Sequence, residues 1–200
     1  MQRTLALALV LAFAAFGCDS TSGPSGPAGT LNLRLTDSPF TDADAVLVTF
    51  TGVRVHRAES DWETLPFADA AAVSRTCDLK KLQNGAEDIL GTGPLVAGQY
   101  TMIRLVVESA KLYFDNPTAA GPACATTITP PAGASADVTV SSGEVKLNRP
   151  FTLTADTATT ILLDLDGNGS IHQQGNGSYR MTPVIGIVSV TAQTPPPAQP

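Results

Sequence analysis

The feature that most constrains this chain is a two-residue hydrophobic rhythm repeated in short runs. In "TLNLRLTD", Leu31, Leu33 and Leu35 alternate with Asn32 and Arg34. Successive side chains point to opposite faces only in a strand, so this pattern predicts a half-buried β-strand. In "AVLVTFTGVRVHRA", Val46, Val48 and Phe50 share one face, and after Gly52 the parity passes to Val53 and Val55. A glycine at such a flip predicts a bulge or a bend. "SDWETL" reads as the return arm of that hairpin, with "RAES" at its turn. "GQYTMIRLVVESAKLYFD" predicts a long central strand or a bent pair. "ADVTV", "EVKLN", "FTLTAD" and "TTILLDLD" follow at short spacing. "SYRMTPVIGIVSVTA" reads as one closing strand, with Val184, Ile185, Ile187, Val188 and Val190 as core candidates. The one helical signal is "DLKKLQNGAEDIL", where Leu79 and Leu82 stand three apart and Asn84-Gly85 would stop a turn. So many short strands with at most one short helix predict an all-β fold, an antiparallel β-sandwich.

The N-terminus reads as an export signal. Arg3 precedes "TLALALVLAFAAF", a run of about thirteen residues, short for a membrane span and suited to a signal-peptide core. Ala15-Phe16-Gly17-Cys18 resembles the lipobox of bacterial lipoproteins, with Phe16 where a small residue is usual. That resemblance implies a signal peptide over residues 1–17 and lipidation at Cys18, hence a chain exported and anchored to a bacterial membrane. Residues 18–28 then form a Ser/Gly/Pro tether, 29–193 the sandwich, and 194–200 a Pro-rich tail. Of the three cysteines, lipidation of Cys18 leaves Cys77 and Cys124, which are expected to form a disulfide in an oxidising compartment.

Charge narrows the partners. The net charge is −6, and residues 1–17 carry a single formal charge, Arg3, so their removal takes it to −7. An acidic chain without a basic stripe lacks the electrostatic footprint of a nucleic-acid binder and is repelled by anionic headgroups. The expected partners are the membrane, through the lipid, and an envelope protein or glycan.

Five ordered segments carry a family resemblance: "GTLNLRLTDSPF", "DADAVLVTFTGVRVH", "DLKKLQNGAEDILG", "VAGQYTMIRLVV" and "LLDLDGNGSI…YRMTPVI". Over residues 29–190 they resemble the bacterial domain-of-unknown-function family numbered 4382, which often occurs in lipoproteins. The resemblance implies an immunoglobulin- or transthyretin-like sandwich and no activity. "AGQYT" also resembles the "PAGxYT" strand entry of transthyretin-like accessory domains, with Val96 in place of the proline.

No catalytic motif appears. His56 and His172 lie far apart in sequence, and no nucleophile elbow, zinc-protease helix or phosphate loop is present. His56 is expected at the surface, His172 exposed, and Trp62 packed on its sheet rather than serving as a sugar platform. The sharper candidate is calcium. Asp164, Asp166, Asn168 and Gly169 match positions 1, 3, 5 and 6 of a calcium loop, but position 12, where a bidentate Glu belongs, is Gly175. The reading that wins is a polar strand face running into a hairpin turn. Asp37, Asp42 and Asp44 form a second acidic cluster around a turn before Pro39. No cofactor is expected, with calcium as the low-ranked exception. Asn168 and Asn176 also head glycosylation sequons. The expected function is a non-catalytic binding or structural module. Its rivals are a calcium-dependent adhesion or carbohydrate-binding domain and an unrecognised hydrolase.

Overall fold

A computed structural model describes residues 26–38 and 41–194. The signal peptide, Cys18, most of the tether and residues 195–200 lie outside the described residues. The first seven strands are β1 (Ala28–Thr36), β2 (Ala45–Arg57), β3 (Trp62–Leu65), β4 (Arg75–Asp78), β5 (Asp88–Val96), β6 (Gly98–Tyr113) and β7 (Cys124–Ala125). Then come β8 (Ser135–Val140), β9 (Glu144–Leu147), β10 (Phe151–Leu153), β11 (Ala158–Leu165), β12 (Ile171–Gln173), β13 (Tyr179–Met181) and β14 (Ile185–Gln193). They form two sheets. The smaller has the order β14-β11-β1-β5. The larger runs β12-β13-β8-β6-β2-β4-β7, with β3 on β2 and both β9 and β10 on β6. Antiparallel pairing dominates, but β1–β11 and β13–β8 are parallel.

The core lies where the two inner faces meet. The smaller sheet contributes Leu31, Leu33 and Leu35 from β1 and Ile161, Leu163 and Leu165 from β11, all fully buried. The larger contributes Phe50, Val53 and Val55 from β2 and Ile103, Leu105 and Val107 from β6. The alternation read in the sequence is therefore a true inside–outside code. The parity flip in β2 coincides with register shifts against β6 around Thr51, where one extra residue turns the strand. A Cβ on Gly52 would come 3.3 Å from Val106 Cγ2, so the bend is also a place of close strand approach.

Two expectations need correction. "SYRMTPVIGIVSVTA" is not one strand. Its first part is β13 in the larger sheet, its last part β14 in the smaller, and the chain crosses between them at Thr182–Val184. Nor are its valines buried: Val184, Val188 and Val190 are 47%, 58% and 48% exposed. Val190 stands opposite the buried Ile161 on the core-facing side, but β14 is an edge strand that the larger sheet covers only in part, and Val190 stays about half exposed.

The second correction concerns "GNGS", which occurs twice. The first copy is a single helical turn, α1 (Gly167–Ser170), where a hairpin turn was expected. The second copy makes the hairpin, between β12 and β13. There Gly177 has φ 83°, and the Gln174 N–H donates to the Ser178 carbonyl at 2.7 Å. "DLKKL" does form the expected short helical piece, a 3-10 turn over Leu79–Leu82, followed by Asn84 and Gly85 at positive φ.

Candidate functional site

Strands β1 and β11 run parallel, so their C-terminal ends leave the smaller sheet side by side. Thr36 is paired with Asp164. This register brings Asp37, just past β1, to Asp164 and Asp166 at the end of β11. The two acidic segments that stand more than a hundred residues apart therefore share one pole of the sandwich.

Asp37 is buried, only 4% exposed. Its Oδ1 accepts from the Gly167 N–H at 2.9 Å and its Oδ2 from Gln83 Nε2 at 3.2 Å. Asp166 caps α1, its Oδ1 accepting from the Gly169 N–H at 2.7 Å. Ser38 Oγ donates to Asp164 Oδ2 at 2.7 Å. Asp164 Oδ1 is buried and has no hydrogen-bond partner among the described residues. Burial pushes the Asp37 carboxyl up to about 7. The Gln83 and Gly167 hydrogen bonds oppose that shift, and the charges of Asp164 and Asp166 reinforce it.

These contacts explain the helical turn. Carboxylates take the N–H groups of Gly167 and Gly169, which is how a helix start is satisfied. Both Asp37 oxygens are likewise spent on protein donors. Among the described residues no group of three acidic, histidine or cysteine side chains is arranged to hold a metal. Asn168 is exposed. Asp42 and Asp44 are exposed too: Asp42 accepts from the Thr41 hydroxyl, and the Asp44 N–H joins the Tyr113 carbonyl.

Elsewhere, Cys77 and Cys124 stand opposite each other across β4 and β7 as a disulfide. Sequence reasoning missed the polar network around it. Asp78 is 1% exposed and accepts from the Val46 and Lys80 N–H groups and from Thr118 Oγ1. Asp88 Oδ2 accepts from the Cys124 N–H, and Arg75 Nη2 donates to the Cys124 carbonyl. An Asp directly before "LKKL" was a readable helix-cap signal for part of it. Trp62 is half-buried with the Arg104 guanidinium 4.1 Å from its ring centre and His56 5.1 Å away. One face of the indole is thus occupied by a cation rather than open to a sugar. His56 bonds Thr101 Oγ1, and the exposed His172 reaches the Gly169 carbonyl.

A family model described as "Domain of unknown function (DUF4382)" matches residues 28–183. The chain belongs to this family. No curated protein and no solved structure matches it. The DUF4382 segment begins with β1 and takes in every strand through β13, together with the carboxylate pole and the disulfide. Among the described strands, only β14 lies beyond it.

Proposed function

We propose that this DUF4382 chain is an exported, lipid-anchored protein of the bacterial envelope whose sandwich is a non-catalytic binding or structural module. The observation that carries the reading is the cysteine pattern. With Cys77 and Cys124 joined, the remaining cysteine is Cys18, which closes the apolar leader. A disulfide suits an oxidising compartment. Labelled palmitate is expected to enter the wild-type chain and not Cys18→Ser, and the variant should leave the membrane fraction. An unlabelled wild type would overturn the reading.

The surface hollows support a non-catalytic role. One of about 500 Å3 is lined by residues such as Gly52, Leu65, Phe67 and Val73, with no titratable side chain. Two others hold a single charged residue each, Lys81 and Asp156. A hydrolase needs convergent acid and base groups in a cleft. The calcium reading is opposed by the N–H and O–H donors that engage both Asp37 oxygens, Asp166 Oδ1 and Asp164 Oδ2, although Asp164 Oδ1 has no such partner. Calcium is therefore expected to leave the melting temperature unchanged. An upward shift lost in Asp166→Ala would restore that reading.

A further inference from the structure

Among the described residues nothing pairs with the outer edge of strand β14, and the other edges differ from it. The outer side of β5 is bridged by Phe67 to Gly91, by the Ala68 N–H to the Leu90 carbonyl and by the Thr92 N–H to the Pro66 carbonyl. It also carries Pro94. In the larger sheet the terminal strands β12 and β7 are three and two residues long. By contrast, β14 is nine residues long, "IGIVSVTAQ", with no charge and no proline. Proteins guard edge strands with charges, prolines, bulges or shortness. Apart from a single bulge near Val188, β14 has none of these. It also carries two of the chain's exposed large hydrophobics, Val188 and Val190. On its core side, Ile185, Ile187 and Val190 form a shelf that the larger sheet leaves partly uncovered.

We propose that β14 pairs with β14 of a second copy of this chain, antiparallel about a two-fold axis, joining two four-stranded sheets into one of eight. Charge permits this occupant, and the strand's self-complementarity favours it. The chain carries −6, yet no charged residue follows Arg180, so this edge lets two acidic molecules approach without opposing carboxylates. Full overlap of the nine residues puts the axis at Ser189, the middle of the strand, and sets Val188 opposite Val190 of the second copy. Such β-branched pairs are the unit of cross-strand stabilisation, and a two-fold contact uses one self-complementary patch. The shelf of each copy then continues into that of the other.

The register defines the test. Residues facing each other across an antiparallel pair have Cα atoms about 4.5–5.5 Å apart, within disulfide reach. In membranes carrying the full chain, mild oxidation of Ser189→Cys is expected to give a reducible dimer that the wild type, with its three native cysteines, does not form. Adding Val188→Lys or Val190→Lys should cut the cross-linked fraction at least about ten-fold, as charges do on edges. Val73→Lys, at an exposed valine outside β14, should leave it intact. Retention of the Cys77–Cys124 bond in each lysine variant separates lost pairing from failed folding. Absence of the dimer, a dimer indifferent to both lysines, or a cross-link to a chain of different mass would overturn the proposal.

Discussion

Cys77→Ala/Cys124→Ala is expected to lose about 4 kcal/mol of stability, the chain-entropy value for a loop of 47 residues. For a domain of this size the melting temperature should fall by roughly 8–16 °C. The loss is expected to be uneven. β7 is two residues long and pairs with β4 only through Thr76–Ala125 and Cys77–Cys124. Without the bond, the segment between β6 and β8 is held on this side by Arg75, Asp78 and Asp88. Hydrogen exchange should therefore rise first around residues 118–125, while β2 and β6 stay protected. Equal denaturation midpoints for the wild type and the double variant would show that the polar network alone holds the segment.

Asp37→Asn is expected to stabilise the protein at pH 8 and to confer little or no gain at pH 4. The Asp37 carboxyl rises from 3.8 to about 7 in the folded protein, chiefly through burial. Between those values the folded state holds a proton that the unfolded state has released. The associated stability is fully present below about pH 4, is lost as pH rises toward 7, and stays lost above it. A shift of this size corresponds to up to about 4 kcal/mol. The amide keeps an oxygen for the Gly167 N–H but brings no charge near Asp164 and Asp166, while Gln83 must turn to offer its own oxygen. Denaturation of both proteins from pH 4 to pH 8 reads the difference directly. A constant gap across that range would mean that Asp37 is ionised throughout.

Much of this architecture was readable because the core faces obey a strict period of two. Leu31, Leu33 and Leu35 are buried where the alternation put them, and Gly52 marks the bend in β2. The pairing order was not readable. Which strand ends meet is decided by contacts far apart in sequence, so the meeting of Asp37 with Asp164 and Asp166 awaited the parallel β1–β11 register. The first "GNGS" shows the same limit. Local propensity favours a hairpin there, but carboxylates at Asp37 and Asp166 satisfy a helical turn instead. Hydropathy misled at β14, because Val188 and Val190 are as apolar as core residues. Their place on a partly covered edge is set by sheet order, which composition does not record.

The flanking of β11 by β1 and β14 carries one more consequence. Thr30, Ala158 and Gln193 lie in one row across the three strands. Thr30, near the start of β1, and Gln193, at the end of β14, are thus about 10 Å apart, two strand spacings. A linker of three or four residues could close that gap. The sandwich is a candidate for circular permutation, with Gln193 joined to Ala28 and new termini opened at the exposed tip of the β12–β13 hairpin. Seen this way the order of strands along the chain can change while their order in the two sheets stays the same.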